Sequence, residues 1–174
     1  AVLPTNATAL SDNAIDLGVG SYRYKDLYLS GGAFIGGTGS ANQLDDYEEG
    51  TWTGTVTGSG SNPSSSVTTT GNYIKIGKLV YITYAFANVN TSGASGEIRI
   101  TGLPFTPSPG NQNTGNVTMH TLGTITSGAA NVTPFFTSAY IAFYITKSQV
   151  AWSVVQHNAG SGGYLYSTGS YLTT

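Results

Sequence analysis

The 174-residue chain contains no cysteine, which excludes disulfides and thiolate metal sites and suits synthesis in a reducing cytoplasm even if the product acts outside a cell. Charge is nearly as scarce. Asp, Glu, Lys and Arg together make up 8% of the residues, against roughly 25% in an average soluble protein. The six Lys and Arg are scattered and the formal net charge is -2, so the chain has no electrostatic footprint for nucleic acid. No apolar run approaches the ~18 residues of a membrane span, so membrane insertion is not expected. Helical periodicity is missing too: no window carries apolar residues at i, i+3, i+4 and i+7 over a useful length. The opening "AVLPTNATAL" lacks the basic start of a signal peptide and lacks Met, as a fragment of a longer chain would.

Gly (24 residues), Tyr (12 residues), Thr, Ser and Asn fill the space that charge vacates. An aromatic content of 11% and many β-branched side chains separate this composition from a disordered Gly/Ser chain. The length suits one ordinary domain and a smaller appendage. "TWTGTVT" alternates strictly, with Trp52, Gly54 and Val56 on one face and Thr51, Thr53, Thr55 and Thr57 on the other, as in a half-buried strand. "GNYIKIGKLVYITYAFANV" reads as a hairpin whose Gly77 supplies the positive φ of a type II′ turn. Its first arm sets Ile74 and Ile76 against Tyr73 and Lys75. The second arm is apolar on both faces, so both need cover, and Tyr81 and Tyr84 are assigned to core and subunit contacts on opposite sides.

Strands follow in "GEIRITG", "NVTMHTLGTIT", "AYIAFYIT", "QVAWSVVQ" and "GYLYSTGSYLT". Short strands with regular turn signals predict an antiparallel β-sandwich of jelly-roll type. Trp52 is expected in its core, and Trp152 likewise, because Val150 and Val154 share its parity. The segment before Leu44 behaves differently: apolar bursts between glycines are too few to enclose a core.

Four of the eight acidic residues (Asp45, Asp46, Glu48 and Glu49) crowd into "LDDYEEG". Asp45 and Glu48 have capping-box spacing and Gly50 stands where a left-handed cap would end the turn, so the stretch reads as an isolated helical turn at a structural joint, together with Trp52. A hard-cation site remains the alternative. A glycosidase pair is the weaker one, since Asp12, Asp16, Asp26 and Glu97 lie in distant contexts. No "GxSxG" elbow accompanies the many hydroxyls, and His120 and His157 lack metal-ligand spacing. His120 reads as a strand residue and His157 as a binding-loop candidate. The glycine-rich "GGAFIGGTGSAN" lacks the GK[ST] ending of a phosphate loop. No cofactor, no metal and no enzymatic activity are expected.

The stretch "IDLGVGSYRYKDLYLSGGAFIGGTGSANQLDDYEEGTWTGTVTG" resembles a segment of bacteriophage tail fibres and related virion appendage proteins, in which a "DLYLSGG" element leads through "LDDYEEGTWT" into a terminal β-domain. "GNYIKIGKLVYI", "ITGLPF" and the closing "GSYLT" are similar to parts of that domain. The resemblance implies a homotrimer: residues 1–43 an intertwined shaft and neck, residues 44–174 a receptor-binding head. It further implies a virion protein made in the host cytoplasm, joined to other virion proteins through its N-terminal side, that binds a host-surface glycan or protein multivalently. A head-attached fibre or decoration protein and a polysaccharide-degrading tip are the alternatives.

Strand parity then locates the receptor loops. If the first head strand runs outward, "GSGSNPSSSVTTTG" and "NVNTSGASG" turn side by side at the far end, with "QHNAGSGGY" as a third member. The candidate contacts are Asn62, Asn88, Asn90, His157, Asn158 and Tyr164.

Overall fold

A computed structural model describes residues 5–6, 9–10, 16–110, 113–125, 131–148 and 150–174. Asp12 and part of the 106–115 loop lie outside them. The chain divides into two units, Ala1–Gln43 and Leu44–Thr174.

In the first unit, none of residues 16–43 is buried. Leu17, Tyr22, Tyr28 and Ile35 all stand exposed. Order there is local: Val19 and Tyr22 exchange backbone hydrogen bonds of 3.0 and 2.9 Å, and Ser40–Asn42 forms a 3-10 turn. With so few apolar contacts a single copy of this segment has no hydrophobic core.

The second unit is built from antiparallel strands β1 (Tyr47–Gly58), β2 (Thr68–Ile76), β3 (Leu79–Val89), β4 (Ile98–Thr101), β5 (Asn113–His120), β6 (Asn131–Phe136), β7 (Tyr140–Lys147), β8 (Val150–Val154) and β9 (Gly163–Leu172). The all-β, antiparallel expectation holds, but the two packed sheets of a sandwich do not form. One nine-stranded sheet runs β6-β5-β9-β3-β2-β1-β4-β7-β8, and β6 also pairs with β7 from Asn131↔Thr146 to Phe136↔Ile141. That pairing closes the sheet on itself and leaves one of the nine, β8, outside the ring. The unit is therefore an eight-stranded barrel. A barrel of eight strands is just wide enough for side chains to fill. Val56, Ile82, Phe86, Ile98, Ile100, Phe136, Ile141, Phe143, Ile145 and Leu165 do so, each at most 2% exposed.

Alternation decides which side chains enter. Trp52 and Val56 point inward as expected, and Val80, Ile82, Tyr84 and Phe86 supply the buried face of β3. On β2 the inward set is Tyr73 and Lys75, while Ile74 and Ile76 face out at 41% and 50% exposure. Lys75 is only 7% exposed because its ammonium pairs with the Asp46 carboxylate and lies 5.4 Å from the centre of the Phe105 ring. A buried cation is tolerated only with such partners. Gly77 has φ of +55° while Lys78 is not in the left-handed region, as a type II′ turn requires.

Two local expectations are corrected. Glu48 and Glu49 do not lie in a helical turn: Tyr47–Gly58 is continuous strand, paired with β2 from Tyr47↔Ile76 to Thr55↔Thr68. The ladder satisfies the backbone groups that an isolated turn would leave open. Trp152 shares its parity with Val150 and Val154, but that parity faces outward: Trp152 is 62% exposed. Since β8 lies outside the ring, neither of its faces lines the core.

The barrel ends are closed differently. Near the start of β1, residues 103–108 cross the opening; Tyr171 Oη donates to the Phe105 carbonyl at 3.0 Å and Thr173 Oγ1 to that of Thr106 at 2.9 Å. Burial raises the Tyr171 phenol to about 12, so it remains a donor throughout the neutral range. Four loop segments cover the opposite end.

Candidate functional site

Those segments, residues 59–67, 90–97, 121–125 and 156–163, are tied into one surface by hydrogen bonds between residues far apart in sequence. Ser64 N–H donates to the Ser92 carbonyl at 2.8 Å, Ser61 Oγ to Gly93 at 2.6 Å, Thr91 N–H to Gly160 at 2.8 Å and His157 N–H to Gly96 at 2.8 Å. A fifth, Asn158 N–H to Leu122 at 3.0 Å, anchors the last loop to the 121–125 segment. Loops cross-linked in this way lose little further entropy when they bind a partner. The Gly77 turn lies at the other end of the barrel, where its N–H donates to the Asp46 carbonyl at 2.7 Å.

The structure brings the candidate contacts together at the loop end. Asn62, Asn88, Asn90 and Asn158 are all exposed there. Three of the four have side chains committed to loop architecture: Asn62 Oδ1 accepts from Gly58 N–H at 3.2 Å, Asn90 Oδ1 accepts from Ser92 N–H at 2.9 Å, and Asn158 Nδ2 donates to the Thr121 carbonyl at 2.9 Å. Asn88 holds φ of +52°, a left-handed conformation that Asn tolerates better than most residues. Tyr164 begins β9 opposite His120, its ring centroid 6.1 Å from the imidazole and 6.5 Å from Tyr166.

His157 faces inward from its loop, and its Nε2 lies 3.1 Å from the Thr57 carbonyl. A carbonyl only accepts, so Nε2 carries the proton, and the buried Nδ1 has no hydrogen-bond partner among the described residues. Burial lowers the imidazole pKa from 6.5, partly offset by the Thr57 bond. Protonation below pH 6.5 is therefore more favourable in the unfolded chain, which binds more protons and gains population as pH falls. Stability should be full above about pH 6.5 and decline toward pH 5.5, at no more than about 1.4 kcal/mol per pH unit. Urea midpoints across that range should slope in the native protein and flatten in His157→Gln. Equal slopes in both would assign the pH response to another group.

The carboxylates of Asp45, Asp46, Glu48 and Glu49 do not converge on one point. Asp46 pairs with Lys75; Glu48, on the inward parity, accepts from Tyr73 Oη; Glu49, on the outward parity, accepts from Tyr47 Oη at 3.2 Å. Asp45 is exposed. No group of three or more His, Asp or Glu is placed to hold a metal ion among the described residues.

Sequence reasoning did not find a groove on the outer face of β2, β3, β9 and β5, about 440 Å3 in volume. Thr70, Asn72, Thr83, Asn116, Thr118 and Tyr166 line it. The shared parity of Tyr164 and Tyr166 was visible, but the pairing of β9 with β5 that puts Thr118 opposite Tyr166 was not. No family model matches the chain, and no curated protein is significantly similar to it.

Proposed function

We propose that the chain is the distal, non-enzymatic part of a bacteriophage tail fibre, a homotrimer whose barrel head binds the host surface. The observation that carries this reading is the knitted loop surface opposite the start of β1: three Asn-, Ser- and Gly-rich loops from distant parts of the sequence share one end of a closed barrel. The resemblance of the 15–58 region to tail-fibre segments supplies the biological setting. Three such surfaces on one trimer raise avidity through effective concentration, since each second contact becomes intramolecular. Residues 1–43, in which Leu17, Val19, Leu27, Leu29 and Ile35 are exposed, supply the segment that intertwines with other copies and leads toward the rest of the virion.

Fluorescently labelled protein should adsorb to host cells and compete with phage particles for them. Exchanging Asn88 for Gly, which accepts the same backbone conformation, and Asn158 for Ala should reduce adsorption at least tenfold while sedimentation remains unchanged. Undiminished adsorption would move the receptor site off the loops. Antibody labelling of intact particles at the capsid rather than the tail would favour the head-attached alternative.

A further inference from the structure

Away from the loops, the outer faces of β5 to β8 hold a second, chemically distinct concavity. Phe135, Tyr144 and Trp152 lie on three successive strands, with Tyr144 set edge-to-face against both neighbours: 5.6 Å and 82° to Phe135, 6.0 Å and 73° to Trp152. Thr114, Thr133 and Thr146 complete the lining of a cavity of about 160 Å3. Edge-to-face contacts fix the rings, yet Trp152 remains 62% exposed. An indole so placed contributes little to the barrel core.

The lining narrows the class of ligand. It carries no charged side chain, so it offers nothing to clamp an ion or phosphate. A space of about five liquid water volumes matches one small ring. Thr133 Oγ1 accepts from Asn131 Nδ2 at 3.1 Å, but a lipid chain would cover the Thr114 and Thr146 hydroxyls without offering them partners, which is costly when they are desolvated. A saturated sugar ring matches both halves of the surface. Its C–H face carries slight positive charge and suits the negative face of an aromatic ring, while its hydroxyl rim can exchange hydrogen bonds with the threonines. Thr is stiff at χ1 and aromatic side chains have few rotatable bonds, so little freedom is lost on binding.

We propose that this cavity is a subsite for one neutral pyranose ring, stacked against Trp152 and bordered by the Thr114, Thr133 and Thr146 hydroxyls. The inference rests on the host-binding reading and gives it a substrate class, a neutral surface glycan, at a position separate from the loops.

Tryptophan fluorescence tests it directly, because the chain has two Trp and Trp52 is buried at 5% exposure. The 174-residue protein is titrated with methyl glucoside, methyl galactoside and N-acetylglucosamine, with glucuronate as a charged comparison. At least one neutral sugar should protect the exposed indole from acrylamide quenching, saturably and in the millimolar range. Trp152→Phe should lose the signal, and Tyr144→Leu, which retains the reporter, should weaken binding at least fivefold. No protection by any neutral sugar, or equal protection by glucuronate, would overturn the subsite. So would an indole already shielded from acrylamide without sugar, which would make this face a contact between copies. Cell adsorption by the same samples separates the two readings: adsorption without sugar binding removes only the subsite, whereas sugar binding without adsorption removes the host-binding role.

Discussion

Replacing Ile76 and Leu79 together by Lys is expected to convert the proposed trimer into a folded monomer at micromolar concentration. These two side chains belong to a continuous apolar row on the outside of the barrel, Tyr47–Ile76–Leu79–Leu172, in which each residue is the cross-strand partner of the next. Ile74 and Tyr81 form the adjoining row. All six are 39% to 57% exposed in the single chain, a patch of the kind that marks an interaction surface. Fully burying an exposed Ile or Leu is worth about 1.5–3 kcal/mol, and Ile76 and Leu79 have about half of their surface left to cover, so each contributes about half of that. Losing two per subunit should weaken each contact by about one to two powers of ten, before the repulsion between added charges is counted. Sedimentation velocity with circular dichroism as a fold control checks the outcome. A native protein that already sediments as a monomer, or a variant that remains trimeric, would show that this patch does not hold subunits together.

Gly71→Ala should lower the melting temperature by roughly 4–12 °C, the equivalent of about 1–3 kcal/mol of overpacking. A Cβ on Gly71 would lie 2.4 Å from Trp52 Nε1 and 2.5 Å from the Thr83 carbonyl oxygen. Neither can retreat. The indole packs 5.3 Å from the Tyr84 ring inside the barrel, and Thr83 is fixed in the β2–β3 ladder. Trp52→Phe removes the atom that clashes, so the double variant should recover part of the loss although Trp52→Phe alone destabilises. Strict additivity in a double-mutant cycle would mean that the indole does not dictate glycine at this position.

The sequence made strands legible and left their sides ambiguous, because a period of two identifies two faces without naming the inner one. Trp52 was assignable since its opposite face is all threonine. On β2 the choice between Ile74 with Ile76 and Tyr73 with Lys75 goes against hydropathy, and the reason lies elsewhere in the chain. Asp46 and Phe105 come from other segments to neutralise and cover Lys75. Trp152 fails for a related reason: its parity was correct, but β8 hangs outside the ring. The barrel itself was hidden in β6, where Pro134 interrupts a strand pattern. That proline is accommodated because β5 pairs with β6 only at Phe135 and Phe136, leaving an unpaired edge at which a missing N–H costs little. Loop placement followed correctly from strand direction alone, since successive antiparallel strands must reverse. The groove depends on the non-sequential pairing of β9 with β3 and β5 and left no local signal, whereas the Trp152 cavity joins strands that pair in sequence order and was missed with β6.

The position of β9 carries a consequence for how the protein is made. It is the last of the nine strands to leave the ribosome, yet it sits between β3 and β5, each formed earlier. Until it arrives, those two strands present bare edges with nothing to pair, and Phe136 lacks the Tyr171 ring that stacks on it at 5.2 Å. The nascent chain is thus an open, edge-exposed sheet, the form most prone to wrong association. Closure therefore waits for the last strand of the barrel, so a chain halted before Gly163 carries an open sheet however long its earlier strands have had to pair.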